Sequence, residues 1–540
     1  MYCRLCQTTQ HKRSEWKQQW NKEGYAYKRL DKVKDHEQGE QHRQALELKT
    51  RQQINHKDAK AITSAIKYLN FLLQHNIPYT DIFKAFINFA THELHAPDRH
   101  HRMDDKFIDT MAEHVEDAVY TNIKYSPVYS IMADESTDVS NRKHLVVSAK
   151  YIDVVTGELQ TEFAKDVELP DDVIQTKLSL DNLVAFGSDG CNTMIGSKSG
   201  VATRLKELKP NIINIQCHNH RLALAAKNSF EDIPLFRDVD DTLPHVFKYY
   251  HYSAVRTKSL EKIQKLLNDA EGTKTIKNAV QTRWLSHLIA VTSLRDTISQ
   301  LALTFERNDV EHSTIHPQLQ STLMTLGRLK EKEGVNTTKS SELIKKINVT
   351  WKPNELESVH SAEKKFIDGL VSNITKRLQN TEVIDKFTIF RNNIPDEVKN
   401  GFYGNDEIVD LAEHLKLDVD ETLYQWDLFK TSIADNSMDL LTGPTATTKG
   451  LLKMEKTLGN IYSNILKISS AAVVLPLRTA EVERMFSKVK QTITVLQNRT
   501  KVEKMNKLLM ITQNNKYIYF QVITDKWMLK EKRRLIATKK

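Results

Sequence analysis

The chain has 540 residues, 40% hydrophobic and 27% charged, and carries a net charge of +9. That length exceeds one ordinary core and implies two to four structural units. Four cysteines argue against a disulfide framework, and no run approaches the ~18–20 apolar residues of a membrane span. Scarce Gly and Pro, 16 and 12 respectively, tilt the expectation toward helix.

Residues 1–55 are polar and rich in His, Gln and Lys, with Cys3 and Cys6 as Cys-x-x-Cys and His36 and His42 further on. Four ligands of that softness suit tetrahedral Zn²⁺, although a chain with 20 histidines also produces such a pair by chance. Met1-Tyr2-Cys3-Arg4 offers no apolar signal region, so a cytosolic or nuclear location is expected. Residues 1–60 hold fourteen Lys/Arg against eight Asp/Glu, and the end is basic again at Lys530-Glu531-Lys532-Arg533-Arg534. Basic ends read either as solvated termini or, for the second, as a nuclear localisation signal.

Residues 60–90 read as one amphipathic helix through Ile62, Ile66, Leu69, Leu72 and Leu73, and 105–124 as another through Phe107, Met111 and Val115. At Pro127 the pattern changes to strands. Val128–Met132 runs into Asp134, His144–Val155 and Leu159–Phe163 flank the turn Thr156-Gly157, and Leu183–Phe186 runs into Gly187-Ser188-Asp189-Gly190. Val201–Leu208 is expected as helix, 212–215 as strand and His220–Lys227 as helix. From 230 to 430 the pattern is helical, 442–450 is the expected linker, and two apolar-striped helices follow over 479–496 and 501–512.

A strand ending in an acid, a hairpin, then a second strand ending in an acid is the order of an RNase H-like fold. Carboxylates at strand ends are held rigidly enough for two Mg²⁺ ions roughly 3.5–4 Å apart, as phosphoryl transfer requires, and hard oxygens suit Mg²⁺. Taken singly, Asp134 and Asp189 read equally as turn residues.

The flanking segments carry a resemblance. Ile131-Met132-Ala133-Asp134-Glu135-Ser136-Thr137-Asp138 resembles the first-aspartate segment of hAT transposases and their domesticated relatives. Gly187-Ser188-Asp189-Gly190, with Met194, Gly196 and Gly200-Val201-Ala202, resembles the second. Cys217-His218-Asn219-His220 resembles the family's Cys-x-x-His segment, and Thr282-Arg283-Trp284-Leu285-Ser286 its Arg-Trp segment. Leu475-Pro476 and Glu481-Val482-Glu483-Arg484-Met485-Phe486-Ser487 resemble its C-terminal dimerisation region. Cys3, Cys6, His36 and His42 resemble the BED-type fingers found ahead of such cores.

By that resemblance Asp134, Asp189 and Glu483 bind Mg²⁺ or Mn²⁺, and Cys217, His220, Arg283 and Trp284 serve DNA, the tryptophan stacking on a displaced base. Read without it, Trp284 packs between helices, Cys217 is a buried thiol and His220 a hydrogen-bonded imidazole. The apolar surface of Met485, Phe486, Val489, Val502, Met505, Leu508 and Leu509 must pack on the core, on a second subunit, or on both.

The expected fold class is α/β plus a large all-α portion: an RNase H-like core interrupted by a helical insertion domain, with a small N-terminal zinc finger. Its expected parts are 1–55 finger, 56–125 helical segment, 126–228 first part of the core, 229–440 insertion, 441–515 dimerisation region and 516–540 basic tail. DNA and a second copy, as homodimer or higher oligomer, are the expected partners in the nucleus, with no membrane and no small-molecule substrate. Asp166–Leu180 is short for a parallel crossover, which normally takes a dozen or more residues including a helix. A weakened sheet is therefore expected. Three functions follow: a DNA-binding protein of hAT descent with weakened or lost cleavage, an active cut-and-paste transposase, or a zinc-finger protein-interaction scaffold.

Overall fold

The computed structural model describes residues 56–93, 104–137, 143–168, 178–267, 292–307, 311–331, 353–378, 382–390, 401–434, 443–492 and 502–530. The expectations for Cys3, Cys6, His36, His42, Arg283 and Trp284, and for residues 531–534, fall outside these. So do those for the side chains of Phe486 and Val489. The described residues are mostly helical, with one mixed five-stranded sheet.

The chain opens with α1 (His56–Gln74), α2 (Tyr79–Glu93) and α3 (Asp104–Tyr125). The single helix expected over 60–90 is two. Asn76 takes a left-handed φ of 53°, and Ile77 N–H donates back to Leu72 O, closing α1 as a Schellman turn just before Pro78. Ile66, Leu69, Phe83, Phe107 and Met111 form a small core with residues from the far end of the chain, Ile523 and Trp527.

The strands follow: β1 (Tyr129–Thr137), β2 (Lys143–Ile152), β3 (Leu159–Glu168) and β4 (Leu183–Ser188). A helical turn α4 (Asn192–Ile195) and α5 (Val201–Leu208) lead to β5 (Ile213–Gln216). The sheet order is β3-β2-β1-β4-β5, with β1–β2–β3 antiparallel and β4 and β5 parallel to β1. The short stretch before β4 does not prevent this closure: β4 pairs with β1 over Tyr129–Met132, and Leu178 and Leu180 pack against the sheet core. Residues 169–177, most of the expected crossover, lie outside the described residues; β4 itself is seated in the sheet with all six of its residues buried.

After β5 come α6 (His218–Glu231), α7 (Pro234–His251), α8 (Ala254–Leu267), α9 (Thr292–Glu306), α10 (His312–Glu331), α11 (Pro353–Leu378), α12 (Glu382–Lys386), α13 (Asn405–Leu415) and α14 (Val419–Ala434). These helices are not separated from the sheet. One apolar cluster runs from Val184, Ala185, Ile213 and Ile215 through Phe305, Phe366 and Phe390 to Trp426 and Phe429. Close approach of α6 and α11 depends on small residues: a Cβ on Gly369 would lie 3.4 Å from Ser229, whose hydroxyl receives Asn373 Nδ2 at 2.9 Å.

The last elements are α15 (Pro444–Leu458), α16 (Ser463–Val474), α17 (Ala480–Thr492), α18 (Val502–Gln513) and α19 (Phe520–Lys530). The linker expected over 442–450 is instead mostly helix. Pro444 occupies the first turn, where its missing N–H costs nothing, and Thr447, Thr448 and Leu451 are buried. The expected basic tail from 516 is also structured as far as Lys530. There Trp527 is buried, and Lys526 and Lys530 pair with Asp117 and Glu113 of α3.

Met485, Met505, Leu508 and Leu509, expected to pack on the core, on a second subunit, or on both, are buried within the chain itself, and Val502 is half-buried. Helix α18 lies along the sheet edge, where Asn506 and Asn514, about two turns apart, face β3. Asn514 accepts from Phe163 N–H at 3.2 Å and donates to its carbonyl at 2.9 Å; Asn506 does both with Asp166 at 2.6 Å. The two amides thus act as a surrogate strand on the sheet's open edge. Between them β3 bulges at Ala164, whose carbonyl takes Tyr120 Oη. Asn514→Ala leaves buried backbone groups of Phe163 unpaired, so a loss of about 1–3 kcal/mol is expected in urea unfolding.

Candidate functional site

Strand register places the two aspartates. The parallel β1–β4 pairs end at Met132↔Gly187, and continuing that register by two residues sets Asp134 opposite Asp189. The next strand continues the row: β4 pairs with β5 up to Ser188↔Gln216, and Cys217 N–H donates to Ser188 O at 2.8 Å. Neighbouring strands lie roughly 4.8 Å apart and residues in register share a face, so Asp134, Asp189 and Cys217 form a line across the carboxyl ends of three parallel strands. Beyond it the chain turns sharply. Asp189 Oδ1 accepts Cys191 N–H at 3.0 Å, and Gly196 and Gly200 touch backbone to backbone, a Cβ on Gly200 falling 2.4 Å from Gly196 N.

Along β1, Ser130, Met132 and Asp134 alternate onto one face. Ser130 Oγ donates to Val474 O, and its cross-strand partner Lys150 donates Nζ to Leu475 O at 2.9 Å. The segment 475–477, between α16 and α17, therefore straps across that face. Gly187 admits it: a Cβ there would lie 2.6 Å from Pro476 Cβ and 2.9 Å from Cγ. His218 completes the clamp, its backbone N–H donating to Leu477 O at 3.0 Å and its ring Nδ1 lying 2.9 Å from the same oxygen. The strap then delivers α17, which packs on β1 and β2 and carries Glu483 in its first turn.

Electrostatics ties the three acids together. Asp134 is pushed up to about 7, chiefly by burial and then by the negative charge of Asp189 and Glu483. Glu483, exposed at the rim, is also raised, by desolvation first, with Asp189 and Glu306 raising it and His220 and Arg484 drawing it down. Among the described residues no three His, Cys, Asp or Glu side chains converge as a ready metal-holding group. Asp134 and Glu483 nevertheless both feel the charge of Asp189, and carboxylate oxygens suit a hard divalent cation.

No family model matches the sequence.

The Cys-x-x-His segment divides by burial. Cys217 is 2% exposed and bonds Thr479, burial pushing its thiol up. It is the buried thiol of the plain reading, so any part it takes in shaping a DNA site is indirect. His220 is exposed beside Glu483.

Residues not singled out by sequence hold the site's frame. His218 grips the strap, and buried Arg478 donates to Glu306 O of α9 and pairs with Glu481 of α17. Burial lowers Lys150 to about 8, against Glu481, which raises it. A charged residue at an inward strand position was the one available signal for Lys150. Nothing local marked Arg478, since its partner Glu306 lies far along the chain.

Two outcomes are expected. Gly187→Ala forces the strap off β4 and should cost about 1–3 kcal/mol in urea unfolding. The folded chain holds a proton at Asp134 up to about pH 7, whereas an unfolded aspartate releases it near 3.8. Stability contributed by this group is thus greatest at low pH and falls as pH rises through that window. Asp134→Asn should therefore melt higher than the parent above pH 7, and calorimetry should show the gap closing as pH falls toward 3.8.

Proposed function

We propose that this chain is a DNA-binding nuclear protein of hAT-transposase descent, with an RNase H-like core and a divalent-cation site at Asp134, Asp189 and Glu483. The observation that carries the reading is the parallel β1–β4 pairing, which ends at Met132↔Gly187 two residues before Asp134 and Asp189, together with the charge of Glu483 felt at Asp134. The sheet order and the packing of the Gly187 segment against Leu475-Pro476 support it, because segments distant in sequence meet where the resemblance requires. Mg²⁺ or Mn²⁺ bound there supplies Lewis-acid polarisation of phosphoryl oxygens and an activated water. The chain's own residues set the frame: Asp134 and Asp189 from rigid strands, Glu483 from a helix clamped by Arg478 and His218, and His220 as an exposed neighbouring imidazole.

The N-terminal segment is part of the proposal as a zinc finger on Cys3, Cys6, His36 and His42. Arg283 and Trp284 are assigned to DNA. Self-association through the C-terminal region would use Val502, Phe486 and Val489, since the other four residues of that set are buried within the chain.

A second reading, active cut-and-paste cleavage, is favoured by the intact pairing of β4. Magnesium or manganese should raise the melting temperature of the parent chain and leave Asp134→Asn and Asp189→Asn unmoved; no response in the parent removes the cation site. Salt-dependent affinity for duplex DNA is expected in both variants as in the parent. Metal-dependent plasmid nicking by the parent, abolished in Asp189→Asn, would select the active enzyme. Retained binding without nicking selects the binding protein.

A further inference from the structure

The corner between α7 and α8 carries chemistry that the acidic site does not use. Residues 242–260 contain no Asp or Glu, but Lys248, Arg256, Lys258, two histidines and four aromatic residues. Helical spacing sets His245, Tyr249 and Tyr252 on one side at i, i+4 and i+7, with Lys248 beside them. All four are exposed, Tyr249 by 54% and Tyr252 by 80%. With the neighbouring cations they make one exposed aromatic and basic patch.

The rings are also ordered. The Arg256 guanidinium lies 4.0 Å over the Tyr249 ring, and its Nη1 donates to Tyr249 O at 3.3 Å. His251 stacks on Phe247 with centroids 4.6 Å apart and meets Tyr252 edge-on at 5.1 Å. Ser253 and Thr257 hold the corner that fixes them: Ser253 N–H and Thr257 Oγ1 both donate to Tyr250 O, and Ser253 Oγ accepts Arg256 N–H at the start of α8. Aromatic faces already set beside cations lose little freedom on binding a flat ligand.

We infer that this corner binds an unpaired stretch of nucleic acid, its bases stacking on Tyr249 and Tyr252 and its phosphates meeting Lys248, Arg256 and Lys258. Stacking faces interleaved with cations are the chemistry of single-strand recognition. At 1.5 Å per residue, the run from His245 to Tyr252 spans roughly 10 Å, long enough to face a short unpaired stretch. An acidic peptide would use the cations and leave the ring faces idle. A membrane surface would need a broad apolar face, and here Val255 is the exposed aliphatic residue. The inference shares with the proposed function only the class of partner and does not depend on the carboxylates.

The test uses the full chain with a short fluorescent oligothymidylate, followed by anisotropy across a salt series. Tyr249→Ala and Tyr252→Ala should each weaken single-strand binding by roughly 5- to 10-fold, and Tyr252→Phe should restore it. Arg256→Gln should make the log–log salt slope shallower by roughly 0.7. Duplex of the same length should be insensitive to both tyrosine substitutions. Oligonucleotide bearing 4-thiothymidine should photocrosslink to the peptide containing Tyr249 and Tyr252. Unchanged single-strand affinity in both alanine variants, crosslinks mapping only elsewhere, or equal competition by polyglutamate would overturn the assignment. These results are independent of divalent-cation binding at Asp134, so either proposal can fail while the other stands.

Discussion

The pressing of Pro476 onto Gly187 sets the geometry of the rest of the site. A strand residue without a side chain lets a segment nearly three hundred positions later lie flat on the sheet, at a distance that even one methyl group would prevent. Once the strap is seated, Lys150 and Ser130 bind its carbonyls from below and His218 binds Leu477 from the side. Helix α17 then starts where its first turn overlooks the ends of β1 and β4. Placement of Glu483 therefore follows from packing around the strap.

The same arrangement explains why the helical region between β5 and the strap is joined to the sheet. Arg478 reaches the last carbonyl of α9 while pairing with Glu481, so α9 and the Glu483 helix share one buried guanidinium. A buried cation is tolerated only when its donors are satisfied. The continuous apolar cluster from Val184 to Phe429 makes separate movement of the two parts costly. The acids thus sit at one end of a single packed body, opposed by their own repulsion. Burial first, and that repulsion second, raise Asp134.

Much of this was legible in the chain. Strand order, both aspartates and the parallel ends followed from apolar runs punctuated by Asp and Gly, because period and turn chemistry act over a few residues. The break at Asn76 and the helix starting at Pro444 were misread. A single left-handed residue ended one apolar stripe, and a proline expected to interrupt a linker opened a helix. The C-terminal stripes were correctly marked as needing cover, but a stripe does not name its cover. Met505 and Leu509 found theirs in the chain's own core.

Local chemistry marked the strand runs, most of the helices, and the carboxylates that stand at strand ends. Tertiary structure alone decided that β4 runs parallel beside β1, that Cys217 is sealed while His220 is open, and that Asn506 and Asn514 close the sheet edge. The physical reason is range. Backbone propensity and side-chain periodicity are set by neighbours a few residues away. Register, burial and charge coupling depend on contacts between segments hundreds of residues apart, and only packing can decide which of them meet.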